Sequence, residues 1–272
     1  MLGTAEFHKC ITAAQYLQEQ NPDTVTSEIL QFFSTQWEEY RAQLANQLKG
    51  EFYQHRANHI ILLNNRDYVG SSEDFATFAL NRFGYMDNSM SIVYDRIAKN
   101  ALKKTINNSQ TRKYCQLGLK VTDAAVGRQV TKMIQFELFY DLAPRTCENF
   151  MQLLAGFTRS DGEQLTYNDT EVNRIVKGMF IQMGKITPSK APELGTSIYG
   201  GAFEDESFAV KHDTIGMLGM CRRNGLSHTN EAQFYVSMGA PLTFLDNKNV
   251  VFGRVVQGMR NLKIVEKQDY TN

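Results

Sequence analysis

Apolar residues in the first hundred positions of the chain recur mostly at helical spacing. A first helix is predicted over residues 7–17, where one face would carry Phe7, Cys10, Ile11, Ala14 and Leu17. A second helix is predicted from about Ser27 to Lys49, and its apolar stripe consists of Leu30, Phe33, Trp37, Leu44 and Leu48. A third helix follows the capping-box pattern of Ser71 and Asp74, and it would end at Gly84.

A short hairpin is predicted between the second and third of these helices. Residues 59–63 form a β-prone run, residues 64–67 have turn composition, and Tyr68-Val69 can pair back. Helices around a hairpin indicate an α/β domain, which we assign to residues 1–102. Residues 103–113, KKTINNSQTRK, are almost entirely polar and predict a linker.

Short strands and glycine-containing turns dominate residues 114–272, which we assign to a second domain. Strands are predicted at 134–138, 170–175, 179–183, 216–220, 233–237 and 250–256. A helix is predicted to begin at Pro144, with Cys147, Phe150, Met151 and Leu154 on its buried face. Many short strands with one or two helices indicate a closed antiparallel β-barrel.

One apolar stretch of this domain, VNRIVKGMFIQMGK (Val172–Lys185), contains two polar residues that a core rarely accepts. Arg174 and Gln182 lie on two predicted strands that flank a glycine bend. An unpaired arginine or an unsatisfied glutamine is seldom buried. Either both side chains face water, with Glu171 as an ion-pair partner of Arg174, or they line a pocket.

Composition and charge narrow the possible functions. Lys+Arg and Asp+Glu both number 29, so the basic excess of a nucleic-acid-binding protein is missing. No apolar run approaches the roughly 18 residues that span a bilayer, and the first residues do not resemble a signal peptide. The four scattered cysteines indicate reduced thiols in the cytoplasm. His55 and His59 have ligand spacing, but no further ligand motif accompanies them, so neither a metal nor a cofactor is predicted.

Four longer motifs follow one another in the second domain. They are FELFYDLAPRTCENF (136–150), SIYGGAFEDESF (197–208), NEAQFYVSM (230–238) and FLDNKNVVFGRVVQGM (244–259). With them, residues 130–267 resemble the cyclophilin family of peptidyl-prolyl cis-trans isomerases. The resemblance implies an eight-stranded antiparallel barrel capped by two helices, with one more strand beyond Asn272 that closes the barrel beside the first.

The N-terminal domain has a resemblance of its own. Its first helix, the hairpin-like IILLNNRDYVG and the following SSEDFATFA are similar to the second half of a thioredoxin- or glutaredoxin-type domain. That family would place a redox cysteine at the start of the first helix, where this chain has Thr4. Cys10 lies inside the helix on its apolar face, where cysteines are usually inert, so thiol chemistry is not expected.

The cyclophilin resemblance implies a proline pocket with one catalytic arginine. Isomerisation breaks no covalent bond but must weaken the partial double bond that sets a barrier of ~20 kcal/mol. An arginine suits this task because it is always charged and carries five donors. The resemblance assigns this role to Arg174. It assigns the binding of a proline-containing peptide or protein segment to Met179, Phe180, Gln182, Cys221, Arg222, Gln233, Tyr235, Phe244, Leu245 and Asn249.

Several of these positions differ from the family's pattern. Tyr235 stands where the family has phenylalanine, Phe244 where it has tryptophan, and Asn249 where it has histidine. Cys221-Arg222 replaces Ala-Asn, and Arg222-Arg223 would place two cations beside the peptide groove. The resemblance therefore implies a retained proline pocket beside an altered groove.

A divergent cyclophilin with such an N-terminal extension resembles the peptidyl-prolyl isomerase-like protein 6 branch, which is associated with motile cilia and regarded as inactive. The resemblance implies a weakly active or inactive module that binds peptides or serves structurally in a ciliary axonemal assembly. Arg174 supports the alternative of a genuine isomerase that acts as a folding helper with altered specificity. A third hypothesis, a thiol redox protein, would require a reactive thiol at Cys10.

Overall fold

The computed structural model describes residues 3–32, 37, 40, 41, 43–45, 48, 57–107, 112–123 and 127–268. The chain divides into two compact units, Met1–Asn108 and Ser109–Asn272, and each is described by itself. Within the described ranges we find no helix that combines the length and the apolar character required to cross a lipid bilayer.

The N-terminal unit combines helices with one short hairpin. Its elements are α1 (Ala5–Gln20), β1 (Ile61–Leu63), β2 (Asp67–Gly70), α2 (Ser72–Phe83) and α3 (Ser91–Asn107). Strands β1 and β2 pair antiparallel, with Leu63 opposite Asp67. The predicted first helix, hairpin and third helix are therefore confirmed.

A capping box begins α2, as the sequence predicts. The Ser71 hydroxyl accepts the Asp74 backbone N–H at 3.4 Å, and the Asp74 carboxylate accepts the Ser71 backbone N–H at 2.7 Å. Gly84 ends the helix at φ 66°, a conformation that favours glycine. Helices α1 and α2 then share one apolar core, which consists of Cys10, Ala13, Leu17, Phe75 and Ala79.

The predicted helix from Ser27 begins later in the structure. Residues 27–32 are not helical, and helical conformation is described only at positions between 37 and 48. The Ser27 backbone N–H donates to Gln18 Oε1 at 2.9 Å, which ties this segment to the end of α1. Phe33 and Lys49 of the predicted helix lie outside the described residues.

The linker predicted at 103–113 begins within a helix and ends at the start of a strand. Residues 103–107 form the last part of α3, and Lys113 begins a strand, while residues 108–111 lie outside the described residues. The polar composition at 103–105 is that of an exposed helix end, since the anchors of α3, Tyr94 and Ala98, lie earlier in the helix. Our sequence predictions contain no helix at 91–107.

The C-terminal unit is built on one large antiparallel sheet. Its strands are β3 (Lys113–Asp123), β4 (Arg128–Leu138), β5 (Phe157–Thr158), β6 (Gln164–Leu165), β7 (Val172–Val176), β8 (Phe180–Met183), β9 (Met217–Arg222), β10 (Asn230–Ser237) and β11 (Val251–Gln257). Seven of them pair in the order β3-β4-β11-β9-β10-β8-β7, and β5 pairs with β6 in a separate hairpin. The six predicted strands correspond to β4 and β7 to β11.

Two helices pack on this sheet, α4 (Pro144–Ala155) and α5 (Met259–Glu266). The Phe150 ring of α4 lies in the core, with its centroid 5.0 Å from that of Phe234 and 5.4 Å from that of Phe252. Leu153 completes the buried face of α4, whereas the predicted Met151 and Leu154 are only partly buried.

The predicted barrel is an open, curled sheet in the described part of the chain. Strands β3 and β7 are its two edges, and no pairing between them is described. The strand that the resemblance implies beyond Asn272 would lie beside β3. Closure of the barrel therefore stays a prediction.

Candidate functional site

A cavity of about 220 Å³ opens on the C-terminal unit between β8, β9, β10 and the 3₁₀ turn Thr243–Leu245. Its lining consists of Phe180, Gln182, Cys221, Arg222, Gly225, Tyr235, Leu245, Lys248 and Asn249. Phe180, Tyr235 and Leu245 supply apolar walls, and the other residues surround them with polar groups. A pocket that is apolar with a few placed polar groups suits a small ring-shaped side chain such as proline.

The β7–β8 hairpin positions Arg174 next to this cavity. Arg174 pairs with Gln182 across the two strands, so both side chains project from the same face of the sheet. The Arg174 guanidinium carbon lies 5.7 Å from the centroid of the Phe180 ring, and the side chain is exposed. Arg174 is thus exposed beside the apolar wall but outside the cavity lining, and no ion pair with Glu171 is found among the described residues.

The two glutamines of the predicted site contact each other. Gln182 Nε2 donates to Gln233 Oε1 at 2.7 Å. This bond leaves Gln182 Oε1 and Gln233 Nε2 for other partners. Gln233 lies beside the cavity through this contact and is not part of its lining.

The Tyr235 hydroxyl has a buried partner that the sequence did not identify. Its oxygen lies 2.6 Å from His212 Nε2, and His212 Nδ1 lies 2.8 Å from Asp246 Oδ1. Asp246 Oδ1 also accepts the His212 backbone N–H at 2.9 Å. Because a carboxylate can only accept, we assign the proton to Nδ1, and the Tyr235 hydroxyl then donates to Nε2.

A glycine makes room for this hydroxyl. A Cβ at Gly219 on β9 would lie 2.4 Å from both Cζ and the hydroxyl oxygen of Tyr235. Carbon atoms do not approach so closely without displacement, so the observed position of the ring requires glycine at 219.

Burial and hydrogen bonding set the protonation of this group. Burial, followed by the charges of Cys221 and Asp246, raises the pKa of Tyr235 well above its usual value of 10. Burial also raises the pKa of Asp246, but hydrogen bonds from His212 outweigh it, so the carboxyl pKa lies below its usual value. Burial raises the pKa of the Cys221 thiol to about 12, although Arg174 acts in the opposite direction. Tyr235 and Cys221 are therefore neutral near pH 7.

The rim groups are largely bonded within the protein. Asn249 Nδ2 donates to the Met220 carbonyl on β9 at 2.8 Å. The Arg222 guanidinium donates to Asp205 Oδ2 at 2.6 Å, and the two side chains are 9% and 1% exposed. Arg223 forms an ion pair with Glu231. The two predicted groove cations are therefore both neutralised by carboxylates.

The cavity brings together most, but not all, of the predicted site residues. Four predicted residues lie outside its lining, namely Arg174, Met179, Gln233 and Phe244. The Phe244 side chain is 46% exposed, and the Met179 backbone carbonyl accepts the Met238 N–H at 2.7 Å. Sequence reasoning missed Gly225 and Lys248 of the lining. A pattern signal existed only for Lys248, which is adjacent to the predicted Asn249.

Comparisons with known proteins agree with this geometry. The family model for cyclophilin type peptidyl-prolyl cis-trans isomerases (Cyclophilin type peptidyl-prolyl cis-trans isomerase/CLD) matches residues 125–272. The chain belongs to the cyclophilin family. Over nearly its whole length this cyclophilin is similar to a human protein named "Probable inactive peptidyl-prolyl cis-trans isomerase-like 6", with 31% identity over 98% of this chain and 83% of the relative.

Two further relatives show how the similarity is distributed along this cyclophilin. The mouse isomerase-like 6 protein is 29% identical over 98% of this chain and 82% of its own length. Peptidyl-prolyl cis-trans isomerase 11 of Caenorhabditis elegans is 43% identical, but over 49% of this chain and 70% of its own length. The similarity over nearly the whole chain is therefore to the divergent isomerase-like 6 branch.

Metal chemistry has no visible support among the residues that the structure describes. They contain no group of three or more His, Cys, Asp or Glu side chains that could hold a metal ion. In the N-terminal unit, burial raises the pKa of Cys10 to about 11, which disfavours the thiolate that redox chemistry needs.

Proposed function

We propose that the cyclophilin unit binds a proline-containing segment of a partner protein in this cavity and catalyses its isomerisation weakly or not at all. The observation that carries the proposal is the contrast between walls and rim. Phe180, Tyr235 and Leu245 keep an apolar cavity, whereas Asn249 and Arg222 direct donors to Met220 and Asp205. A peptide backbone would find these two rim donors already bonded, while the Gln182–Gln233 pair still offers one free acceptor and one free donor.

Genuine isomerase activity is the second candidate, and Arg174 favours it. In the described part of the chain, no carboxylate lies within 4.0 Å of its guanidinium, so its donors are available to a substrate. Catalysis needs a donor directed at the prolyl nitrogen while the peptide bond is twisted, so that the lone pair leaves resonance. Arg174 can serve only if the bound proline lies within its reach.

Isomerisation of a blocked X-Pro tetrapeptide, followed by NMR exchange spectroscopy, separates the two candidates. The proposal expects chemical shift changes at Phe180 and Leu245 on peptide addition, with an exchange rate close to that of the free peptide. Arg174→Ala should then leave the rate unchanged, and Lys177→Ala, an exposed cation on the same hairpin, is the matched control. A rate far above the uncatalysed one that collapses in Arg174→Ala alone would show the second candidate to be right.

The cellular setting is part of the same proposal. Its support is the similarity of nearly the whole chain to the isomerase-like 6 proteins. The link to motile cilia is what the sequence resemblance to that branch implies. We place the protein in the cytoplasm, at the axoneme of cilia or flagella, with axonemal proteins as partners. A fluorescent fusion in ciliated cells that stains the cell body but not the axoneme would contradict this placement.

The N-terminal unit completes the proposal as a thioredoxin-like domain that docks rather than reacts. Its support is the order α1, hairpin, α2 and the high pKa of Cys10. Rapid alkylation of Cys10 at pH 7 would contradict a docking role without thiol chemistry.

A further inference from the structure

Tyr235, His212 and Asp246 form a chain of hydrogen bonds behind the cavity, in which Tyr235 and His212 are buried and Asp246 is partly exposed. The Tyr235 ring lines the cavity, but its hydroxyl contacts His212 and the space above Gly219, neither of which is part of the lining. The His212 and Tyr235 rings are also nearly parallel, with centroids 5.9 Å apart and an angle of 19°. The polar end of the tyrosine therefore points away from the cavity.

We propose that His212 is a positioning residue that holds the Tyr235 hydroxyl out of the cavity, so that a tyrosine forms an apolar floor for a proline ring. The inference rests on the proposed function, in which that cavity takes a proline-containing segment. His212 touches neither cavity nor ligand and acts only through Tyr235.

The physical argument concerns where a buried hydroxyl finds its partner. A hydroxyl without a hydrogen bond is destabilised in a buried site, so it moves toward water when its partner is lost. For Tyr235 the adjoining open space is the cavity that this residue already lines. The hydrogen bond to His212 therefore keeps the Tyr235 side of the cavity, here called its floor, apolar.

Asp246 connects His212 to a second wall of the cavity, the one that contains Leu245. It fixes His212 twice, through the ring at 2.8 Å and through the backbone N–H at 2.9 Å. Asp246 directly follows Leu245, the apolar wall on the 3₁₀ turn. The chain of bonds thus links the floor on β10 to the wall on that turn, and it fixes the tautomer in which Nε2 can accept.

A double-mutant cycle on peptide binding tests the proposal. The variants are His212→Leu, Tyr235→Phe and their combination, and the probe is a blocked Ala-Ala-Pro-Ala peptide titrated by NMR. His212→Leu should weaken binding about tenfold, because the released hydroxyl enters the cavity. On the Tyr235→Phe background, His212→Leu should change binding by less than about twofold, since no hydroxyl is left to enter the cavity.

A conservative replacement of His212 serves as a further control for this cycle. His212→Gln keeps an oxygen that can accept the hydroxyl, so it should retain most of the binding. Loss of binding in the double variant equal to that in His212→Leu would overturn the proposal, because His212 would then act on the fold and not on the hydroxyl.

A second measurement does not depend on any peptide. The ionisation of Tyr235 can be followed by the NMR shift of its ring carbon, labelled at Cζ, with Tyr235→Phe for assignment. In wild type, burial and then the Cys221 and Asp246 charges raise the pKa well above 10. In His212→Leu the hydroxyl should reach cavity water and titrate near pH ~10. If wild type binds no proline peptide, the proposed function fails, whereas an unchanged titration in His212→Leu overturns the positioning role itself.

Discussion

The replacement of Gly219 by alanine tests the packing under the cavity floor most directly. The added Cβ would lie 2.4 Å from both Cζ and the hydroxyl oxygen of Tyr235, so the ring must move. Movement away from β9 breaks the 2.6 Å bond to His212 and brings the ring into the cavity. One methyl group should therefore reduce both the stability of the unit and its peptide binding.

The expected loss of stability follows from three terms. Overpacking of a well-packed site costs about 1–3 kcal/mol, and the lost hydrogen bond costs about 1 kcal/mol. Replacement of glycine by alanine in a strand restores about 0.5–1 kcal/mol through the unfolded chain. The net effect is a destabilisation of about 1–3.5 kcal/mol, or about 2–14 °C in Tm for a unit of this size.

Native-state hydrogen exchange of the β9 and β10 amides in the full chain measures this loss for the C-terminal unit alone. Gly118→Ala on β3 is the matched control, because its Cβ would meet only the exposed side chains of Thr131 and Met133, which can turn aside. That control should change the free energy of unfolding by less than about 0.5 kcal/mol. Equal effects of Gly219→Ala and Gly118→Ala would refute the reasoning, because the Tyr235 ring would then not be held in place.

Three further perturbations have expected outcomes that follow from single contacts. Asp205→Ala removes the buried partner of Arg222 and should destabilise the unit by about 3–5 kcal/mol in urea unfolding, whereas Asp213→Ala at an exposed position should have almost no effect. A hydrogen bond from the Arg159 guanidinium lowers the pKa of Asp161 to about 2. The stability that the ionised Asp161 adds to the fold is therefore present above its usual pKa near 3.8 and is lost as pH falls toward 2. Asp161→Asn should therefore flatten the acid limb of a pH-stability curve between pH ~4 and ~2, and an unaltered limb would contradict this. Ser71→Ala should lower the protection of the first α2 amides from hydrogen exchange by about 1 kcal/mol, and unchanged protection would show that the capping box contributes nothing.

Local sequence signals were sufficient to predict a helix or strand wherever apolar residues recurred on one face of that element. The α2 helix is an example, since Ser71, Asp74 and Gly84 mark its ends and its apolar stripe marks its face. Strands β8 and β10 were equally readable because both are short apolar runs between turns. Their predicted bounds differ from the observed ones by one to three residues.

Other elements were missed because their patterns were weak or shared with irregular segments. Strand β3 has alternating Cys115, Leu117, Leu119 and Val121, a signal that was present but followed a polar stretch. The α3 helix buries only Tyr94 and Ala98 among its described side chains, so its amphipathic pattern is faint. The helix predicted from Ser27 does not begin there, since residues 27–32 are not helical and the Ser27 N–H donates to Gln18, nine residues earlier.

Most of the site followed from the cyclophilin resemblance, since seven of the residues that it assigned line the cavity, whereas the residue pattern alone marked only Arg174 and Gln182. Arg174 and Gln182 were identifiable because they flank one hairpin, and the structure pairs them. His212 is 23 residues from Tyr235 and 34 residues from Asp246, and no local pattern encodes these contacts. Similarly, the carboxylate that neutralises Arg222 comes from Asp205, 17 residues away, so the sequence suggested a free cation.

These internal bonds set the strength with which the cavity can hold a ligand. A peptide that took the Asn249 donor from Met220 would exchange one hydrogen bond for another, which is close to neutral. A peptide that took the Arg222 donor from Asp205 would break a buried ion pair, which is unfavourable. The main source of binding free energy is therefore the apolar contact of the proline ring. About 100 Å² of buried proline surface contributes about 2.5 kcal/mol before the entropy of association is subtracted. This contact alone corresponds to a Kd no tighter than about 15 mM, so a short isolated peptide is expected to bind only weakly. An affinity this low becomes useful only when the proline segment is already held nearby, because tethering raises its effective concentration to the millimolar range. The arrangement of the cavity thus favours a module that works inside an assembly over one that captures free substrates.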